Sequence, residues 1–266
     1  MSSWWTALRG PVRAAFRTGW VYRLNVVTAT LGLLLQVWLL SVVWRSVYGG
    51  ATKVRGIEVT QAVSYAVLAV CIQTALMPWE FSSLNQRVRS GQVGIDMIRP
   101  VGLLPQVLAH NLGTFLAQTP IAVIGLVWAV AIGALSLPPD AAVVVSWLLA
   151  TLLGVALTLL MNLLMSMACF WSLEIGGYLM LYRLGSALLS GALIPLWFMP
   201  GWLAGLLDWL PFRAQMFTPL SIYFGQVSGT EAWFAILGQL GWIGVVVALL
   251  HVVWRRAEHK VVVLGG

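Results

Sequence analysis

Six runs of about 20 apolar residues or more constrain this chain above everything else. They cover 24–44, 59–79, 107–135, 141–168, 178–199 and 232–254. At 1.5 Å rise per residue, about 20 such residues cross the 30 Å hydrocarbon layer of a bilayer. The third and fourth runs are long enough to tilt or to pass beyond it. Their connectors are short, so the expected architecture is an all-α membrane protein. One domain, 1–266, would hold six transmembrane helices. Hydrophobic residues fill 60% of positions and mean hydropathy is +0.91, which excludes an ordinary soluble domain. In so apolar a chain the net charge of +7 is not a nucleic-acid footprint but a record of membrane sidedness.

That record is one-sided. With the N-terminus in the cytoplasm, eleven basic residues fall inside: Arg9, Arg13, Arg17, Arg23, Arg87, Arg89, Arg99, Arg183, Arg255, Arg256 and Lys260. Four fall outside, namely Arg45, Lys53, Arg55 and Arg213. The bias sets the orientation, and an even number of spans returns the C-terminus to the cytoplasm. Cys71 and Cys169 lie in apolar runs without metal-like spacing and read as small core residues.

The chemistry the chain lacks is as informative. It has no G-x-x-x-x-G-K-[ST] loop to cradle nucleotide phosphates, no H-E-x-x-H and no G-x-S-x-G. All eight acidic residues lie at or near span ends, whereas proton-coupled carriers place acids mid-membrane. The topology is that of a transporter without an engine, and an external energy source follows.

Five polar regions stand out. At the N-terminus (3–20), Trp5, Leu8, Val12, Phe16 and Trp20 recur at helical spacing beside Arg9, Arg13 and Arg17, a pattern suited to an interfacial helix gripping lipid headgroups. It serves either as an anchor or as an elbow that transmits movement to the first span. The loop 80–100 concentrates Glu80, Arg87, Arg89, Asp96 and Arg99 in a chain only 9% charged. Ser82 and Ser83 can cap a short helix there, ended by Gly91 and Gly94. Composition alone leaves two readings: a solvated connector, or a handle by which another protein moves this one.

Amides interrupt the apolar spans at Gln36, Gln73, Gln118 and Asn162. They are candidates for helix packing or for lining a substrate cleft. Glu174 and Arg183 are expected to pair across the inner ends of two helices. Finally, 195–228 is too apolar for an exposed loop and too rich in proline for one span. Short external re-entrant helices satisfy both facts, with Trp197, Phe198, Trp202, Trp209 and Phe212 forming an aromatic belt or an outer gate.

The run from Gly91 to Val101, containing Ile98-Arg99-Pro100, resembles the G-x-h-x-x-x-L-h-R-P stretch that follows the second span in permease subunits of type-2 ABC exporters. The series Ser190-Gly191, Ile194-Pro195, Pro200-Gly201-Trp202 and Leu210-Pro211-Phe212, and the basic tail closing in Gly265-Gly266, resemble the same family. The resemblance covers nearly the whole chain and most closely concerns six-span bacterial ABC-type-2 family transporter proteins.

It implies a bacterial cytoplasmic-membrane subunit without catalytic residues, metal or cofactor of its own. A separate ABC ATPase would bind ATP and Mg, and a second six-span permease, identical or sibling, would face this one. The loop 80–100 would then be the coupling helix, with Phe81, Leu84, Asn85, Arg87, Arg89, Gly91, Asp96 and Arg99 engaging the ATPase. The expected cargo is an amphipathic or hydrophobic solute. The residues leave open a polytopic membrane enzyme or enzyme-assisting subunit acting on lipid, with Glu174, Arg183 and His110 as its polar centre, and a passive channel or scaffold.

Overall fold

Long apolar stretches leave the backbone one way to satisfy its own N–H and C=O groups, and helices account for most of the structure, α1 and α6 running on through Pro11 and Pro120. The computed structural model describes the backbone of residues 2–264 except 55, 77–82, 98–100, 139 and 173. Side chains are described for 8–258 except those positions, 83 and 97. In chain order the elements are α1 (Ser2–Val21), α2 (Arg23–Val47), the strand pair β1 (Lys53–Val54) and β2 (Ile57–Glu58), and α3 (Val59–Leu76). Then come α4 (Ser83–Arg89), α5 (Gln92–Met97), α6 (Leu103–Ala131) and α7 (Ala141–Ser166). The chain closes with α8 (Gly176–Leu189), α9 (Gly201–Leu207), α10 (Pro211–Gln215), α11 (Phe217–Tyr223) and α12 (Gly229–Leu264). The protein is an all-α membrane protein.

Five of these helices are long and apolar enough to cross a membrane: α2, α3, α6, α7 and α12. The expected fifth span, 178–199, is different. Its helix, α8, stops at Leu189 after 14 residues, about 21 Å at 1.5 Å per residue. The cause is local. Gly191 takes φ +81°, Ala192 N–H bonds to Ala187 C=O, and Gly191 N–H bonds to Leu188 C=O, closing a Schellman cap. A side chain at 191 would also meet the Tyr65 hydroxyl. The same motif ends α6 at Gly133, four residues before the end read from hydropathy was reached.

The helices gather in two packed groups. In the first, α2 and α3 pack on α6, and α1 lies beside the first half of α6. Small residues make that last contact: Gly113 of α6 leaves room for Val12 and Ala15, and Gly19 of α1 sits against Ala117. Close backbone approach of this kind replaces bulky packing between helices in lipid. Arg9, Arg13 and Arg17 stay exposed on the other side of α1. The second group is α7 and α12 with α10, α11 and the turn Met167–Phe170.

The interrupted segment between α8 and α12 folds back on itself. Gln215 of α10 meets Thr158, which lies about 26 Å along α7 from Ala141. Tyr223 at the end of α11 packs on Trp147, only about 9 Å along the same helix. The chain therefore dips to α10 and climbs back through α11. Gly154 makes room for it, since a Cβ there would collide with the Gln215 carbonyl.

Replacing Gly113 by valine is expected to force α1 off α6 at a cost of roughly 1–3 kcal/mol. The check is amide exchange across residues 8–21 in the purified protein, which should rise while that of α7 is unchanged.

Candidate functional site

Residues 83–97 form a small helical hairpin at one end of the bundle. Gly91, with φ +72°, makes the turn between α4 and α5, and Gly91 N–H bonds to Val88 C=O. The sequence placed a second stop at Gly94, but Gly94 is the third residue of α5 and only Gly91 ends a helix. Phe81 and Arg99, also expected in this site, lie outside the described residues.

Three contacts fasten the hairpin. Leu84 is fully buried in the cluster formed by Leu163, Met167 and Phe170 at the C-terminal end of α7 and the turn that follows it, with Val88 and Val93 beside it. Leu84 was expected to reach outward to a partner; its burial makes it an internal peg instead. Arg87 donates from Nη1 to Asp96 Oδ2 at 2.9 Å, joining α4 to α5. Asp96 is 1% exposed and Arg87 20%, so the carboxylate is interior while the guanidinium keeps an edge on the surface. The third contact is Gln106 of α6, whose Nε2 donates to the Asp96 C=O at 3.2 Å and the Val101 C=O at 2.7 Å.

The second arginine behaves differently. Arg89 Nη2 donates to Glu174 Oε1 at 3.0 Å, and both side chains are more than half exposed. Glu174 was expected to pair with Arg183, yet its ion pair is with Arg89. Arg183 lies seven residues into α8, about 10 Å farther along the helix axis, half-buried. The Arg89–Glu174 pair fixes the hairpin to the start of α8, with an exposed pair's modest worth of at most about 1 kcal/mol. Asn85 is half-buried between these contacts.

What the hairpin leaves outward is Gln86, Arg89, Ser90, Gly91, Gln92, Gly94 and Ile95. Ile95 is 60% exposed, an apolar knob on an otherwise polar surface. Sequence reasoning missed it because an isoleucine between Gly94 and Asp96 reads as the buried side of a turn.

The remaining expected site residues separate. No hydrogen bond links Gln36, Gln73, Gln118 or Asn162 to one another, and Gln36 is exposed on the outer face of α2. Two other amides converge. Gln215 Oε1 accepts from Thr158 Oγ1 at 3.2 Å and Ser186 Oγ at 3.3 Å. Gln239 Nε2 donates to the carbonyls of Ala150 at 3.0 Å and Ala214 at 2.8 Å.

The five expected outer aromatics also divide. Trp197 packs against Tyr65 at 4.9 Å and Phe217 at 5.6 Å, and Phe198 against Trp44 at 5.5 Å. Trp202 and Trp209 are 74% and 81% exposed, as belt residues would be. Phe212 instead joins the deeper cluster with Leu157 and Met161. Tyr65, Phe217, Tyr223 and Phe224 complete the aromatic seam around Trp197.

Compared with known proteins, residues 33–262 match the family model described as ABC-2 family transporter protein. The chain belongs to the ABC-2 transporter family. No curated protein and no solved structure matches it. As an ABC-2 permease it is a membrane component of transport and not itself catalytic, and it belongs to an ABC transporter system with an ATPase partner.

Asp96→Ala is expected to cost about 2 kcal/mol, less than breaking a fully buried pair because water reaches Arg87. Hydrogen exchange should then quicken about tenfold or more across residues 83–97 while α7 keeps its protection.

Proposed function

We propose that this chain is the permease subunit of an ATP-driven exporter in a bacterial cytoplasmic membrane. It would carry an amphipathic or hydrophobic solute out of the cell. The observation that carries the reading is the hairpin α4–α5. It is pegged at Leu84 into the second packed group and hydrogen-bonded through Gln106 to the first, while Ile95 and Arg89 remain on its outward surface. A connector with no task beyond spanning two helices needs no such fastening.

In this reading a separate ABC ATPase seats on Gln86, Arg89, Gln92 and Ile95. The apolar knob enters a pocket on the ATPase and the arginine meets an acidic rim. Closure of the ATPase around ATP pushes the hairpin. The push passes through Leu84 to α7 and α12 and through Gln106 to α6, so both helix groups tilt together. The ATP and Mg chemistry lies wholly on the partner.

The hairpin side is cytoplasmic, as are both termini, in keeping with the arginine and lysine bias. The sixth crossing is α8 continued by 190–198. The helix starts beside Glu174, and the Gly191 carbonyl accepts from the Tyr65 hydroxyl at 2.9 Å, within about 9 Å of the opposite end of α3. A second permease of the same or a sibling sequence completes the path. Spans this apolar favour a hydrophobic cargo.

Coexpressed with its ATPase in proteoliposomes, Ile95→Asp with Arg89→Ala should lower ATP-dependent transport about tenfold or more, with membrane insertion and thermal stability unchanged. Transport at the wild-type rate would remove the hairpin from the coupling path. For the cargo, vesicles should move amphipathic dyes with ATP; exclusive movement of small inorganic ions would refute a hydrophobic path.

A further inference from the structure

At the end of the bundle remote from the hairpin, α2, α3 and the turn after α6 frame a small recess of about 40 Å³, open to solvent on one side. Its polar lining is Arg45, Thr60, Ser64 and Ser136. We propose that this recess holds the phosphate of a membrane lipid headgroup.

The walls are built. Ser64 is 1% exposed, and its Oγ accepts from the Ser136 N–H at 2.9 Å while lying 3.3 Å from the Ala134 carbonyl. These bonds hold the turn 134–136 against α3. Across the recess, Arg45 Nη2 donates to the Gly133 carbonyl at 3.2 Å. That carbonyl stands free because Gly133 occupies the left-handed position after α6. The bond fixes the guanidinium plane with one donor and leaves four of its five for a ligand. Arg45 meets no carboxylate among the described residues. The other charges nearby, Lys53 and Glu58, neutralise each other at 3.0 Å across the strand pair. Among the described residues the recess therefore carries one uncompensated positive charge, with the Thr60 and Ser136 hydroxyls as further donors. A guanidinium with hydroxyls matches a tetrahedral oxyanion, and the open side of the recess lets a phosphate seat its oxygens against these donors while the rest of the headgroup stays outside.

Position selects a lipid over a free anion. Arg45 is the third residue from the end of α2, a helix of 25 residues, which sets its head at the level where hydrocarbon gives way to headgroups. Below it on the same face of α2 lie Val42 and Trp38, 42% and 48% exposed. Below Gly133 on α6 lie Val130 and Val127, 44% and 65% exposed. These exposed apolar side chains, on the two helices whose ends frame the recess, offer an acyl chain hydrocarbon surface toward the bilayer centre.

The test is native mass spectrometry of the purified protein in a non-ionic detergent, titrated with dioleoylphosphatidylglycerol or with dioleoylglycerol, which lacks the phosphate. Wild type should retain the phospholipid and not the neutral diglyceride. Arg45→Gln should bind the phospholipid about tenfold more weakly. Arg45→Lys should recover part of the loss, and Lys53→Gln should bind like wild type. Equal retention by Arg45→Gln and wild type, or equal retention of the two lipids, overturns the proposal. Displacement of the phospholipid by millimolar inorganic phosphate would give the recess to a free anion and overturn the lipid assignment.

Discussion

A polypeptide in hydrocarbon has no water to accept or donate hydrogen bonds, so every backbone group released from a helix must find a partner within the protein. Most of this chain meets that demand with long helices. The stretch from Ser190 to Gly229 does not, because prolines and left-handed glycines break it into pieces of at most seven residues. Side chains supply what the helices cannot. The Gln239 amide takes the carbonyls of Ala150 and Ala214, and the Tyr65 hydroxyl takes that of Gly191. The Tyr223 hydroxyl takes the carbonyl of Ser136 at 2.7 Å. Phe217 N–H returns to the Ser190 carbonyl, tying the start of the climbing piece, α11, to the end of α8. Around this repaired break α7, α8 and α12 find their places.

The opposite end of the bundle is organised by charge rather than by amides. Two arginines two residues apart on one short helix have different lives. Arg87 closes on a buried carboxylate and stiffens the hairpin from within, while Arg89 makes an exposed pair that solvent and salt weaken. In the proposed coupling role, a rigid hairpin with one loosely held corner would transmit force and still allow a partner to compete for that corner. This division of labour separates residues that shape the hairpin from those that present it.

The spans of α2, α3, α6, α7 and α12 were legible because hydrophobic length is a direct consequence of bilayer thickness. Family membership was legible in the motifs around Gly91 and Ser190. The end of α8 was harder to read. Hydropathy runs on through Leu193 and Ile194, and only the backbone conformation of Gly191 reveals the stop. The Glu174 pairing was missed because sequence proximity favoured Arg183, whereas the fold brings Arg89 across from 85 residues away. The buried amide network was missed for a related reason. Gln215 and Gln239 look like any polar residue near an apolar run until α10 is seen against Thr158 and Ser186.

The glycine contacts between α1 and α6 have a mechanical consequence. With no long side chains between the two backbones, there is little compliance, and α1 moves as one body with α6. Along the far side of α1 stands a row of three exposed guanidiniums, Arg9, Arg13 and Arg17. If α1 lies in the membrane interface, as its pattern of rings and arginines leads one to expect, any tilt of α6 would drag that row through lipid headgroups. The viscosity and surface charge of the membrane would then be part of the resistance against which such a tilt works.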